Sequence, residues 1–185
     1  MSLSSQILAN ASEQIIRAAA SVKLLVLDVD GVLTDGRLYF SKEGEILKAF
    51  NIQDGLGIKL LQSAGVQVGI ITGRTSTPTQ NRAEELGMNF IVQGRTDKLP
   101  ALEEKRLQYG LELSEIGFLG DDLPDIKCIQ RVGFGICVAN AHIALVQIAD
   151  WQTEKSGGSG AVREVADLIL AAQGKLDKIM SCYLI

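Results

Sequence analysis

Short apolar runs recur along the chain at residues 24–30, 66–72, 89–92, 116–120 and 133–138, each rich in Val, Ile, Leu or Phe and almost free of polar interruptions. Uninterrupted runs of that length predict strands covered on both faces. Between them, apolar positions recur at helical spacing over 55–63, 78–86, 99–109 and 124–131. Strand and helix alternating in this way predict an α/β fold, a doubly wound and mostly parallel sheet with helices on both sides. In such sheets ligands collect at the carboxyl ends of the strands, near the point where strand order reverses. Other stretches break the alternation. RLYFSKEGEILKAF, residues 37–50, reads as a small β-hairpin turning at Lys42, Glu43 and Gly44. Its Leu38, Phe40, Ile46 and Phe50 can hardly all be buried against their own domain. Residues 1–20 carry Ile7, Leu8, Ile15 and Ile16 at the spacing of a short amphipathic helix. Residues 160–185 begin as a helix near Ala161, which Gly174 weakens or ends, and run on into an apolar tail. The whole pattern describes one domain over 1–185, without repeats or a long linker.

The first strand poses a chemical question, because the run LLVLDVDGVLTDG at 24–36 ends on acids. Asp28 and Asp30 lie two apart, which on a strand points both to one side. Carboxylates that close repel unless a cation or a proton lies between them. An isolated pair of this kind is more often a solvated loop, but other segments end in the same manner. ITGR closes the second strand with Thr72, followed by Gly73 and Arg74. GRTDK opens a helix with Lys98, and FLGDDLPD carries Asp121 and Asp122 at a strand end with Asp125 a turn into the following helix. Taken singly, Thr72 and Asp122 read as helix caps and Lys98 as a surface lysine. Brought to one sheet edge, they form a different set. Carboxylates from separate strands suit Mg²⁺, which takes oxygen ligands. A hydroxyl and an amine beside it suit an anion. A metal, a cationic amine and a nucleophilic carboxylate around one anion describe phosphoryl transfer.

Composition narrows the partners. The chain has 185 residues, 46% hydrophobic and 22% charged, so it is globular, and its net charge of −4 argues against nucleic acid as the main partner, though local basic residues could hold a small anion. No apolar run approaches the ~20 residues of a membrane span. The N-terminus lacks the basic start and apolar core of a secretory signal. Cys128, Cys137 and Cys182 show no metal-ligand spacing and read as reduced thiols of a cytoplasmic protein. SGGSG at 156–160 lacks the GK[ST] ending of a phosphate loop and reads as a flexible joint before the last helix. His142, the sole histidine, sits at a helix start and reads as structural.

In order and in all four motifs, residues 24 to about 140 resemble the haloacid dehalogenase-like superfamily of phosphotransferases. The resemblance implies that Asp28 is a nucleophile forming an aspartyl-phosphate and Asp30 its acid/base. It implies Mg²⁺, with Mn²⁺ or Co²⁺ as alternatives, held by Asp28, Asp121 and the backbone carbonyl of Asp30, with Asp122 and Asp125 supporting it. The resemblance further implies that Thr72 and Lys98 bind the phosphoryl oxygens. No cap domain is inserted, so a neighbouring subunit is the natural cover. More finely, LDVDGVLTDG, LKAFNIQDGLGIKLL, ITGR, GDDLPD and GGSGAVREVADLILAAQGK are similar to the capless 3-deoxy-D-manno-octulosonate 8-phosphate phosphatases of lipopolysaccharide precursor synthesis. That likeness implies a sugar-acid phosphate substrate, a homotetramer, and substrate contacts from Asn51, Ile52, Gln53, Asp54, Gly55, Lys59, Arg74 and Arg82. Gln53 replaces a basic residue usual in that family and Lys59 an arginine, which leaves nine-carbon sugar-acid phosphates as the alternative substrate. A phospho-receiver signalling domain also gathers acids, a Thr and a Lys around Mg²⁺, but its adjacent acid pair lies on the first strand, whereas here it comes late, after Lys98.

Overall fold

The computed structural model describes residues 2–42 and 44–183. Alternation of side chains along the first strand, β1 (Leu24–Leu27), explains the layers. Leu25 and Leu27 enter one apolar cluster, and Leu24 and Val26 enter another on the opposite face. The first cluster is closed by α2 (Glu13–Ser21), α3 (Ile52–Ser63), α4 (Thr77–Leu86) and α8 (Ala161–Ala172). The second is closed by α5 (Lys98–Tyr109), α6 (Ile126–Ile129) and α7 (Ile143–Val146). The remaining strands of the sheet are β4 (Gln67–Ile71), β5 (Phe90–Val92), β6 (Ile116–Gly120), β7 (Phe134–Cys137) and β8 (Trp151–Gln152). They lie in the order β5-β4-β1-β6-β7-β8, every pair parallel. The chain builds outward from β1 to β5 and then crosses back to β6, so the order reverses beside β1, where the sequence places its first acids.

The hairpin pairs β2 (Tyr39–Ser41) with β3 (Gly44–Leu47) and stands apart from the sheet. Its expected turn includes Glu43, which lies outside the described residues. Leu38, Phe40 and Ile46 are exposed, as expected, and Tyr39 and Leu47 join them. Phe50 departs from expectation, because it lies beyond the hairpin and packs in part against the first cluster.

Local chemistry accounts for other differences. The N-terminal segment forms two helices, α1 (Leu3–Leu8) and α2, because Ser12 caps the second by accepting from the Ile15 amide. The two-residue β8 is too short to show a run, yet Trp151 stacks on Phe134 with centroids 6.4 Å apart. The last helix among the described residues is α9 (Leu176–Met180), whose Leu176 is fully buried and whose Asp177 accepts from the Ser4 amide. The apolar tail was expected to include Leu184 and Ile185, which lie outside the described residues. Cys128 and Cys137 are core residues, and burial pushes their thiols up to about 12 and about 11.

Candidate active site

β1 stops at Leu27, and the Asp28 amide continues its ladder to the Leu119 carbonyl at 3.0 Å. The chain then turns sharply, with the Val29 carbonyl accepting from Val32, Leu33 and Thr34. This turn separates the two acids that extended geometry would have kept together. Asp28 faces Lys98, whose Nζ lies 2.8 Å from its Oδ1. Asp30 turns toward the hairpin exit, where it pairs with Lys48 and lies 3.7 Å from Arg74 Nε. The crowding expected between Asp28 and Asp30 occurs instead among Asp28, Asp121 and Asp125, whose oxygens lie within 4.8 Å of one another.

Glycine permits this approach. Gly31 has φ +98°, and a Cβ there would collide with the Asp121 carboxylate. Asp121 follows β6, and its neighbour Asp122 accepts from the Leu123 amide as a helix cap. Asp125 is buried and fully engaged: Oδ1 takes Lys98 Nζ at 2.6 Å, and Oδ2 takes the amides of Asp121 and Asp122. Asp125 therefore ties the acid loop to Lys98 and has little left to offer an ion directly. Thr72 follows β4 directly and is buried, its amide donating to the Val92 carbonyl at 2.9 Å. Lys98 opens α5, where a positive charge opposes the helix dipole. Asp28 and Asp125 supply the compensation, and against the cost of burial they raise the Lys98 pKa. Asp28, Asp30, Thr72, Arg74, Lys98 and Asp121 thus line one crevice at the carboxyl edge of the sheet.

The donor set fits a hard divalent cation. Burial, followed by the charges of Asp28 and Asp125, pushes Asp121 up to about 8, and burial raises Asp28 to about 6 in spite of Lys98. These carboxyls resist ionising together unless positive charge joins them. The sign of the stability effect follows. Groups with raised folded-state values favour the fold at acid pH and lose that contribution as pH rises through those values. In chelator, the thermal midpoint should fall between about pH 5 and about pH 8, and Mg²⁺ should raise it more at the higher pH. Melting curves with and without Mg²⁺ check this, and an equal Mg²⁺ effect at both pH values would contradict the fit.

Other residues singled out in the sequence lie outside the crevice. Asn51 caps α3, with its Oδ1 accepting from the Gln53 amide. Ile52 and Gln53 are exposed, Ile52 at 82%. Asp54 is buried and accepts from the Arg163 amide at the start of α8, so its carboxylate is directed into the fold and not toward a ligand. Gly55 lies against the Arg82 guanidinium, which pairs with Glu85 at 2.9 Å. Lys59 donates to the Glu85 carbonyl, two turns along α3.

SGGSG is not a flexible joint. A Cβ at Gly157 would strike the Gly31 carbonyl, and the Gly158 amide donates to the Val32 carbonyl at 2.9 Å. The stretch is a wedge under the turn that follows Asp30, and Asn140 Oδ1 holds it by accepting from the Gly157 amide. His142 has the expected structural role, capping α7 through Nδ1. Sequence reasoning missed Lys48 and Glu45. Lys48 is buried beside Asp30, and Glu45 binds Ser76 Oγ at 2.6 Å and Arg74 Nη2 at 3.2 Å.

The parallel sheet that reverses beside β1 is the fold of a haloacid dehalogenase-like hydrolase, and the model of that family matches residues 87–165. The chain is 43% identical over 167 residues, 90% of its length and 89% of the relative's, to 3-deoxy-D-manno-octulosonate 8-phosphate phosphatase of Escherichia coli (strain K12). It is similar to the crystal structure of that phosphatase from Moraxella catarrhalis in complex with magnesium, phosphate and KDO, with TM-score 0.90, 45% identity, and 92% and 98% of the two chains covered. A cobalt-bound form from Haemophilus influenzae matches at TM-score 0.84 and 37% identity, covering 86% and 93%. The chain belongs to the 3-deoxy-D-manno-octulosonate 8-phosphate phosphatase family.

Proposed function

We propose that the protein hydrolyses 3-deoxy-D-manno-octulosonate 8-phosphate (Kdo 8-phosphate) to Kdo and phosphate through an aspartyl-phosphate on Asp28, supplying a lipopolysaccharide precursor. The observation that carries this reading is the Asp28 carboxylate at the end of β1, set 2.8 Å from buried Lys98 and beside Asp121. Asp28 and Asp121, with the Asp30 carbonyl, would hold Mg²⁺, or Mn²⁺ or Co²⁺ in its place. Bound there, the ion neutralises charge on the phosphoryl oxygens and orients them. Asp28 attacks phosphorus while Thr72 and Lys98 hold the phosphoryl oxygens. Asp30 gives its proton to the leaving alkoxide, then takes one from the water that frees Asp28. Asp122 and Asp125 keep the acid loop in place.

Phosphate release should be fastest from Kdo 8-phosphate in a panel that includes a nine-carbon sugar-acid 9-phosphate and a neutral hexose 6-phosphate. A preference for the nine-carbon ester would move the substrate to the related class. Stoichiometric phosphorylation without turnover would indicate a receiver domain.

Arg74 borders the crevice, and its cation suits the sugar carboxylate. Arg74→Ala should lower kcat/KM for the sugar-acid phosphate by ~1.5–3 kcal/mol of transition-state binding, the range for a charge-assisted hydrogen bond. The neutral hexose phosphate should lose much less. Equal losses in steady-state kinetics would make Arg74 a phosphate or structural residue.

The assembly belongs to the same proposal. Among the described residues no helix is long and apolar enough to cross a membrane, and the setting proposed is the cytoplasm. Leu38, Phe40, Ile46 and Leu47 on the hairpin and Ile52 on α3 are exposed, and large apolar side chains left in solvent in such number suit an interface. A homotetramer with closed symmetry would cover these side chains and could bring the exposed start of α3, Asn51–Gln53, toward a neighbour's crevice. Light scattering should give four subunits, and a fully active monomer would exclude the shared site. Because Leu176 is buried and Lys175 Nζ donates to the Ala64 carbonyl, α9 belongs to the fold, and a truncation that spares the fold must begin after it.

A further inference from the structure

Lysine is among the residues least often buried, and a buried ammonium must be paired. The Lys48 side chain is wholly buried where the chain leaves β3, on an element whose apolar residues are largely exposed. Its ammonium pairs with Asp30 Oδ1 and lies 3.4 Å from Glu45 Oε2. Glu45 is anchored in turn by Ser76 Oγ at 2.6 Å and Arg74 Nη2 at 3.2 Å, both from the loop after β4. The two oxygens of Asp30 are therefore unlike. Oδ1 is clamped by Lys48, whereas Oδ2 is buried without a hydrogen-bond partner, and the nearby cation, Arg74 Nε, stands 3.7 Å away. Asp30 lines the crevice that holds Asp28 and Lys98.

We propose that Lys48, braced by Glu45, is a positioning residue that holds the Asp30 carboxylate so that Oδ2 meets the leaving oxygen of the substrate. The proposal rests on the acid/base reading of Asp30. A carboxyl free to rotate would offer its proton in many orientations, and fixing one oxygen removes that freedom without occupying the other. Glu45 keeps Lys48 from following Asp30, because it holds the ammonium while itself anchored by Ser76 Oγ and Arg74 Nη2. The hairpin thus does more than present an apolar surface, since it carries both members of the brace.

The test is leaving-group dependence in single-turnover kinetics with the Mg²⁺-loaded protein. Expulsion of a sugar alkoxide needs a proton, whereas the aryloxide of p-nitrophenyl phosphate leaves without one. Lys48→Met should slow release from the sugar phosphate at least ~10-fold and leave aryl release within ~3-fold, because general acid catalysis is worth ~10²–10⁴ and only its alignment is impaired. Lys48→Arg, which keeps the cation, should recover most of the loss. Glu45→Gln should give a smaller loss with the same dependence, and it carries the test if Lys48→Met does not fold. Equal slowing of both esters, or no slowing of either, overturns the proposal. Asp30→Asn in the same assay separates the two readings. If it shows no leaving-group dependence, the acid/base reading fails and the proposal fails with it. If it shows the dependence and Lys48→Met and Glu45→Gln do not, the brace alone is refuted.

Discussion

Asp28→Asn should abolish turnover by ~10³ or more while leaving the fold intact. The amide keeps the shape of the side chain and can still accept from Lys98 Nζ, which lies 2.8 Å from Oδ1. It cannot attack phosphorus. It also removes one of the charges that crowd Asp121, whose carboxyl is raised to about 8 by burial and by its acidic neighbours. The variant should therefore melt in chelator within a few degrees of the parent, and Mg²⁺ should stabilise it less. Loss of activity without loss of stability separates a chemical role from a structural one. Phosphate-release kinetics and melting on the same preparation provide both numbers, and near-normal turnover by the folded variant would remove Asp28 from the chemistry.

Lys98→Met should damage both stability and activity. Lys98 is buried between Asp28 and Asp125, at 2.8 and 2.6 Å. Removing one partner of a buried ion pair leaves uncompensated charge and costs ~3–5 kcal/mol. For a chain of this size that corresponds to a thermal midpoint lower by roughly 10 °C. The attraction that raises the Lys98 pKa is present throughout neutral pH and is lost only as pH rises through that raised value. The destabilisation should therefore persist from acid to neutral pH, softened at the acid end where Asp28 takes up a proton. Activity should fall by ~10² or more, because a cation on the developing phosphoryl charge is lost as well. Lys98→Arg retains charge but not the compact ammonium, and should recover more stability than activity. Unchanged melting of Lys98→Met would show that Asp125 and Asp28 have other compensation.

The parts of the fold that were legible in the sequence are those fixed by burial. Strands covered on both faces leave uninterrupted apolar runs, so β1, β4 and β6 and the acids and threonine at their ends could be located without a structure. Lys98 was legible only by company, since one lysine at a helix start says nothing until the acids beside it are known. Lys48 escaped because its stretch, EILKAF, reads as the return strand of a small hairpin, where a lone lysine is ordinarily solvated. The available signal was a single charge set among Ile46, Leu47, Ala49 and Phe50. Asp54 was singled out as a substrate contact through the family resemblance, while its packing role was not legible. An acid in the first turn of a helix reads as a dipole partner or a ligand, and its use as the acceptor for another helix is a long-range fact. The SGGSG wedge was misread because glycine serves two opposite needs. It gives a chain freedom where nothing touches it, and it permits backbone-to-backbone contact where everything does. Composition is the same in both cases, and only the Gly157–Gly31 approach distinguishes them.

The most direct test of the central claim is steady-state phosphate release from Kdo 8-phosphate by the purified protein, measured with Mg²⁺, with excess chelator, and for Asp28→Asn with Mg²⁺. Multiple turnovers in Mg²⁺ alone, restored when Mg²⁺ is returned to the chelated sample and lost by ~10³ or more in Asp28→Asn, are the expected result. Undiminished turnover in excess chelator, or by a folded Asp28→Asn protein, would contradict it.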